Sequence, residues 1–273
     1  MLSLPRLGDY GYLGNAMFQY SALLGIADKT KLNPVYDFKK KGTMCTLHDV
    51  FPLSKVEDVE HHIQVHSVKK IIKEPFFHFS EDMFSVEDNV GLNGYFQSEK
   101  YFKHIEDVIR SEFKFSDDVE NSCIENLKGA KEQSKSESIV GVHIRLGDYQ
   151  KLEHIYVPLL KTGYYNNAIN FINTNVKGDK TYLVFSDNIE MCQQIFKGSD
   201  NFIFASGGSP EQDMCMMSKC DHNIIANSSF SWWGGWLNKN KDKKVIAPIN
   251  WFVPNEKDVK DTKDLYCEDW IKV

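Results

Sequence analysis

The sequence predicts an α/β fold made of two Rossmann-like, doubly wound domains, on three observations. Apolar β-branched runs alternate with helical patterns through the second half, and polar residues gather directly after those runs. The first half opens with the same succession of apolar run, glycine-rich loop, helix and apolar run. Alternation of this kind builds a mostly parallel sheet with helices on both faces.

In the second half, Ser138 to His143 reads as a buried strand, and Tyr164, Tyr165, Ala168, Ile169, Ile172 and Val176 then recur at helical spacing. Gly178-Asp179 turns the chain into a second strand, Thr181 to Phe185. A short helix follows, with Ile189, Cys192, Ile195 and Phe196 on one face. Asn201 to Ala205 is a third strand. After it, Ser209 caps a helix running to Lys219, with Pro210 at the first position and Gln212 closing a capping box. Asp221 to Ala226, Ser229 to Leu237 and Lys244 to Ala247 supply a strand, a helix and a last strand.

The first half is less regular. Leu2 to Leu7 reads as a strand interrupted by Pro5, and the loop Gly8 to Asn15 opens a helix with Tyr20, Leu23, Leu24 and Ala27 on one side. Asn33 to Tyr36 is the next strand. The polar stretch Asn121 to Glu137 reads as a linker. The expected organisation is therefore a domain over 1–125, a second over 138–250, and a tail, 251–273, whose Trp251, Phe252, Trp270 and Ile271 pack back at the junction.

Bulk properties narrow the function. The 273 residues suffice for two cores, and 26% charged with 42% hydrophobic residues is ordinary globular composition. A net charge of −6 argues against nucleic acid as a partner, which needs many cations to displace phosphate counterions. Six cysteines, with no C-x-x-C pair, fit reduced thiols in the cytoplasm. No stretch reaches the roughly 18 apolar residues of a membrane span, and the N-terminus lacks a signal-peptide pattern. The expected location is the cytoplasm, with room for peripheral contact at the inner membrane surface.

Ligands of open α/β sheets bind beyond the carboxyl ends of the strands. There the sequence places His143 and Arg145, then Ser186-Asp187-Asn188, Ser206-Gly207-Gly208 and Asn227-Ser228-Ser229. A guanidinium at such a strand end matches phosphate oxygens bidentately, or closes a salt bridge. Ser228 and Ser229 at a helix start fit a diphosphate cradle or a simple cap. Asp187 reads as an acceptor for ribose hydroxyls or a guanine edge, or as a helix cap. Asp213 reads as a similar acceptor or as part of a solvated helix face. His143 is a site residue or a backbone-bonded core histidine, and the tryptophans 232, 233 and 236 favour the core. Gly14 and Asn15 sit where backbone approaches a ligand, or merely shape a tight turn. The histidines show no H-E-x-x-H, His61-His62 lies in a charged stretch, and there is no strand-borne Asp-x-Asp, so no metal site is expected.

Four segments in order carry a resemblance: Gly11 to Tyr20 (GYLGNAMFQY), Gly94 to Phe102 (GYFQSEKYF), His143-x-Arg145-x-Gly147-Asp148, and Ala226 to Gly234 (ANSSFSWWG). Together they resemble the α-1,2-fucosyltransferases of glycosyltransferase family 11, over about residues 8 to 252. The resemblance implies a GT-B fold whose two domains face a cleft, an N-terminal acceptor-side domain and a C-terminal domain binding GDP-β-L-fucose. It implies inversion at the anomeric carbon, no cofactor and no obligatory metal. Carried over by position, Arg145 is the catalytic arginine engaging the donor diphosphate. His143, Asp148, Asp187, Asp213, Asn227, Ser228, Ser229 and Phe230 are its donor-binding companions, and Gly14 and Asn15 face the cleft on the acceptor side. The family's usual Gly-Gly-Leu-Gly-Asn-Gln is here Gly11-Tyr12-Leu13-Gly14-Asn15-Ala16.

The expected activity is transfer of L-fucose to the 2-hydroxyl of a galactose-containing oligosaccharide or lipid-linked glycan. The alternatives are another GDP-sugar or linkage, or a non-catalytic glycan- or nucleotide-binding relative. The general base stays open among Asp148, His48 and a leaving-group phosphate oxygen.

Overall fold

The computed structural model describes residues 1–9, 11–36, 47–56, 68–205, 208–257 and 260–273. Of the sequence expectations, Ser206, Gly207 and the pair His61-His62 lie outside these residues. The chain forms two compact units: Met1–Phe115 with Asp258–Cys267, and Ser116–Lys257 with Glu268–Val273.

The first unit carries a parallel sheet of β1 (Leu2–Ser3), β2 (Pro34–Val35), β3 (Lys70–Lys73) and β4 (Val90–Asn93), in the order β2-β1-β4-β3. The first strand is shorter than expected. Pro5 has no N–H for the ladder, and the chain turns there through Leu7 N–H to Leu4 O and Asp9 N–H to Arg6 O. Helix α1 (Leu13–Thr30) follows and is buried along nearly its whole length, which is why its apolar residues are not confined to one stripe.

Two of the recognised segments meet in this unit. Gln19 receives a bond from Gly8 N–H (3.0 Å) and donates to Gly94 O (2.8 Å), while Gln97 donates to Asn15 Oδ1 (2.8 Å). At Gly25 a Cβ would fall 2.0 Å from Tyr101 O, so α1 lies directly against the turn Glu99–Tyr101. Glu74 accepts Tyr95 N–H and Phe96 N–H, and burial raises its carboxyl to about 8. A short helix, α2 (Glu106–Glu112), completes the segment.

The second unit begins with a correction. The stretch expected as a linker is helix α3 (Asp117–Ser134), capped by Ser116, whose hydroxyl accepts Val119 N–H. Its polar composition belongs to the outer face; Cys123 and Leu127, four residues apart, are buried. The division between units therefore falls before 116 rather than after 125, and tail residues group with both units.

Beyond α3 the expected alternation is observed: β5 (Ser138–Ile144), α4 (Tyr164–Asn175), β6 (Lys180–Ser186), α5 (Ile189–Ile195), β7 (Phe202–Phe204), α6 (Pro210–Lys219), β8 (His222–Ile224), α7 (Ser229–Leu237) and β9 (Val245–Ala247). The capping box at Ser209 is present in both directions. The sheet order is β10-β9-β8-β5-β6-β7, every pairing parallel, with β5 at the centre and buried throughout. Its edge strand β10 (Ile271–Lys272) comes from the tail. The three tryptophans of α7 are in the core, Trp232 edge-on to Trp233 (5.0 Å) and 5.3 Å from Trp270.

Candidate functional site

Strand β5 delivers Arg145 to the carboxyl edge of the second sheet, and two carboxylates hold it there. Its Nη1 lies 2.9 Å from Asp187 Oδ2 and its Nη2 2.7 Å from Asp148 Oδ1. The other Asp187 oxygen accepts Leu146 N–H (2.8 Å), so this side chain joins the loop after β6 to the loop after β5. The cap of α5 is instead Asn188, whose Oδ1 accepts Met191 N–H. Gly147 is needed beside the pair, because a Cβ there would sit 2.4 Å from Asp187 Oδ2. The face of Tyr149 lies 5.5 Å from the guanidinium carbon, a cation–π contact that further fixes the fork.

The loop after β8 is tied to the same place. Tyr149 donates its hydroxyl proton to Asn227 O (3.0 Å), and the Asn227 side-chain amide donates to Val157 O and Trp251 O, each at 3.0 Å. Both amide protons of Asn227 are thereby used to hold backbone. Ser228 stands at the N-cap of α7 with extended backbone, yet its side chain makes no capping bond. Ser231 braces the turn instead, accepting Ala226 N–H and donating to Ser228 O. Ser229 and Phe230 start the helix half-buried, and the Phe230 ring lies 5.5 Å from that of His143.

His143 is buried, and burial followed by the nearby Arg145 charge lowers its pKa to about 3, which keeps the ring neutral. Its carbonyl accepts the Tyr165 hydroxyl, but Nδ1 is buried without a hydrogen bond. That nitrogen therefore lacks the bond that a backbone-bonded core histidine would make.

Asp213 lies in the first turn of α6, and burial raises its pKa to about 6. Gly208 makes room for it, a Cβ there falling 2.9 Å from Asp213 Oδ1. The folded state thus binds this proton more tightly than the unfolded chain. Stability is fullest below about pH 4, falls as pH rises towards 6, and carries the whole penalty above that. Asp213→Asn is therefore expected to raise Tm at pH 7.5 and to leave it nearly unchanged at pH 4, as read by thermal denaturation at both values.

A cavity of 370 Å³ opens beside Arg145, walled by Tyr149, Tyr156, Leu159, Leu160 and Met191, with Glu153 and Lys161 in its lining. Tyr149 and Tyr156 stack at 4.2 Å, and backbone bonds from Val157 N–H to Trp251 O and from Val253 N–H to Ile155 O pin this segment. Sequence reasoning missed Tyr149, Glu153 and Tyr156, because they follow no motif spacing. The one available signal was their position within a dozen residues of Arg145.

Of the expected site residues, the structure thus brings Arg145, Asp148, Asp187 and Asn227 into one bonded cluster and sets Phe230 against His143. Gly14 and Asn15 lie in the first turn of α1, in the other unit. Among the described residues, no group of three or more His, Cys, Asp or Glu side chains is placed to hold a metal ion. Also among them, no helix is long and apolar enough to cross a membrane.

Comparison with known proteins fits this geometry. The family model of glycosyl transferase family 11 matches residues 8–273. The α-1,2-colitosyltransferase of Escherichia coli is 32% identical, over 96% of each chain. The O-antigen biosynthesis glycosyltransferase WbnK of Escherichia coli is 33% identical over 69% of this chain and 62% of its own length. The bovine galactoside α-(1,2)-fucosyltransferase 1 is 25% identical over 83% of this chain and 64% of its own. Among solved structures, a FUT1 mutant of Arabidopsis thaliana in complex with GDP has a TM-score of 0.55 at 11% identity, covering 90% of this chain and 69% of that one. The fucosyltransferase NodZ of Bradyrhizobium has a TM-score of 0.51 at 14% identity, covering 85% and 90%. The two parallel α/β units are of the GT-B type these fucosyltransferases display. From its motifs, its fold and a match that takes in all but the first seven residues, the chain belongs to glycosyl transferase family 11.

Proposed function

We propose that this chain is an inverting glycosyltransferase that moves L-fucose from GDP-β-L-fucose to the 2-hydroxyl of a galactoside, without a metal ion. The observation carrying the reading is the held guanidinium of Arg145 at the carboxyl edge of the second sheet, in the same unit as the Ser228-Ser229 helix start. A departing diphosphate needs positive charge fixed in advance, and a fixed fork with a helix N-terminus supplies it without reorganisation.

The two carboxylates on Arg145 are not equivalent. The Asp148 side chain is 40% exposed, and exposed pairs contribute little, so an arriving diphosphate displaces it readily. Asp187 is bonded to backbone as well and stays, keeping the fork aimed. Loosening of the C1–O bond then places charge on oxygens that the guanidinium already faces, and the acceptor attacks the opposite face. Asp213, His143 and Phe230 are assigned to the nucleoside, Gly14 and Asn15 to the acceptor side, and the enzyme to the cytoplasm, where peripheral contact with the inner membrane surface gives access to lipid-linked glycans.

A second reading has its own support. The relative aligned over 96% of both chains is named a colitosyltransferase, so another GDP-linked deoxysugar is the competing donor. A product-linkage assay with GDP-fucose, GDP-colitose and a panel of galactosides decides between them. An α-1,2-fucosyl product supports the first reading; turnover of GDP-colitose alone establishes the second; binding of GDP with no transfer at all identifies a non-catalytic relative. Chelator is expected to leave the rate within twofold, and strict dependence on Mg²⁺ or Mn²⁺ would remove the metal-free account.

A further inference from the structure

The geometry points to Glu153 as the group that takes the proton from the acceptor hydroxyl during transfer, an inference that rests on the glycosyl-transfer reading above. Three observations lead to it. The cavity beside Arg145 is lined by one carboxylate among the described residues, that of Glu153. Arg145 is in the same wall, so the cavity reaches the group assigned to the leaving diphosphate. Asp148, a competing acid, is not among the residues that line this cavity.

The backbone around Glu153 is held in place. It sits in a tight turn closed by Ile155 N–H and Tyr156 N–H to Leu152 O, and the segment is bonded to residues 251 and 253. Lys161 Nζ donates to both Glu153 carboxyl oxygens at 2.7 Å. Each oxygen keeps a second lone pair for a proton. The Glu153 side chain is 41% exposed, so a proton gained there returns to solvent. The lining combines aromatic side chains, Tyr149 and Tyr156, with apolar Leu160 and Met191, a mixture that suits a small-molecule ligand such as a sugar.

The step balances without a further reactant. The acceptor oxygen bonds to C1 of the donor sugar, the C1–O bond to the diphosphate breaks, and its electron pair leaves on the phosphate oxygen. The hydroxyl proton passes to a Glu153 oxygen and from there to water.

The test uses the full chain with GDP-fucose and an accepted galactoside. Glu153→Gln is expected to lower kcat on the order of 100-fold or more, with the donor KM and GDP affinity within twofold of wild type. It is also expected to abolish the low-pH fall in kcat that an essential base produces. Glu153→Asp, which keeps the carboxylate, is expected to retain both that low-pH limb and more activity than the Gln variant. A kcat within threefold of wild type for Glu153→Gln, or a raised acceptor KM with kcat unchanged, overturns the role. Loss of GDP affinity or of Tm in both variants overturns it too, in favour of a structural part. Wild-type chain that transfers from neither GDP-fucose nor GDP-colitose sinks the underlying reading as well, whereas wild-type transfer with an active Gln variant sinks this inference alone.

Discussion

Arg145→Ala is expected to lower kcat/KM for transfer by about 100- to 1,000-fold, roughly 3 to 4 kcal/mol of transition-state stabilisation, the scale of one removed electrostatic donor. The loss has two sources. The fork facing the departing diphosphate disappears, and Asp148 and Asp187, formerly neutralised by it, remain as two negative charges beside an anionic donor. Arg145→Lys keeps a charge but gives up the planar fork that reaches both acids at once, so it should fall between wild type and Ala. The pair is at the rim of the sheet rather than in its core, with the Arg145 side chain 21% exposed, and the fold should survive. Initial rates with GDP-fucose, alongside circular dichroism and GDP binding, measure all three quantities. Near-normal turnover by the Ala variant would remove Arg145 from the donor site.

The largest expected loss of stability comes from Gly25→Ala in the first unit. Its added methyl would lie 2.0 Å from Tyr101 O and 2.9 Å from Tyr101 C, both backbone atoms in a turn whose side chain is fully buried. A flexible side chain would give way cheaply; a buried carbonyl does not. Helix α1 must move off the turn, opening its packing against Phe102 and the adjoining aromatic residues, at about 3 kcal/mol. The matching fall in Tm is roughly 6–12 °C. The same displacement pulls on the Asn15–Gln97 and Gln19–Gly94 bonds, so any role of Gly14 and Asn15 at the acceptor should weaken with it. Differential scanning calorimetry together with the acceptor KM reads both effects, and a Tm within 1 °C of wild type would contradict the close approach.

Two segments far apart in the chain, Gly11 to Tyr20 and Gly94 to Phe102, meet through these bonds. Each supplies half of one contact surface: Gln19 spans from Gly8 to Gly94, Asn15 meets Gln97, and Gly25 admits Tyr101. In the second unit the alternation of strands and helices was legible because each element carries its own local signal. The Ser209 capping box and the β-branched run of β5 are examples. Where the local signal misled, the cause was tertiary. A mostly polar helix such as α3 buries only a narrow stripe, so the stretch around Cys123 and Leu127 reads as a linker until a neighbouring surface is present to cover it.

The site divides in the same way. Local chemistry within the sequence determined that Arg145 ends a buried strand, that hydroxyls begin a helix after β8, and which family the motifs resemble, because strand periodicity, capping and motif spacing are short-range properties. Folding alone decided that Asp187, forty-two residues on, grips Arg145, that Asn227 clamps residues 157 and 251, and that Glu153 and Tyr156 border the same cavity. Those relations depend on which strands lie side by side, and a parallel sheet brings loops distant in sequence to one edge.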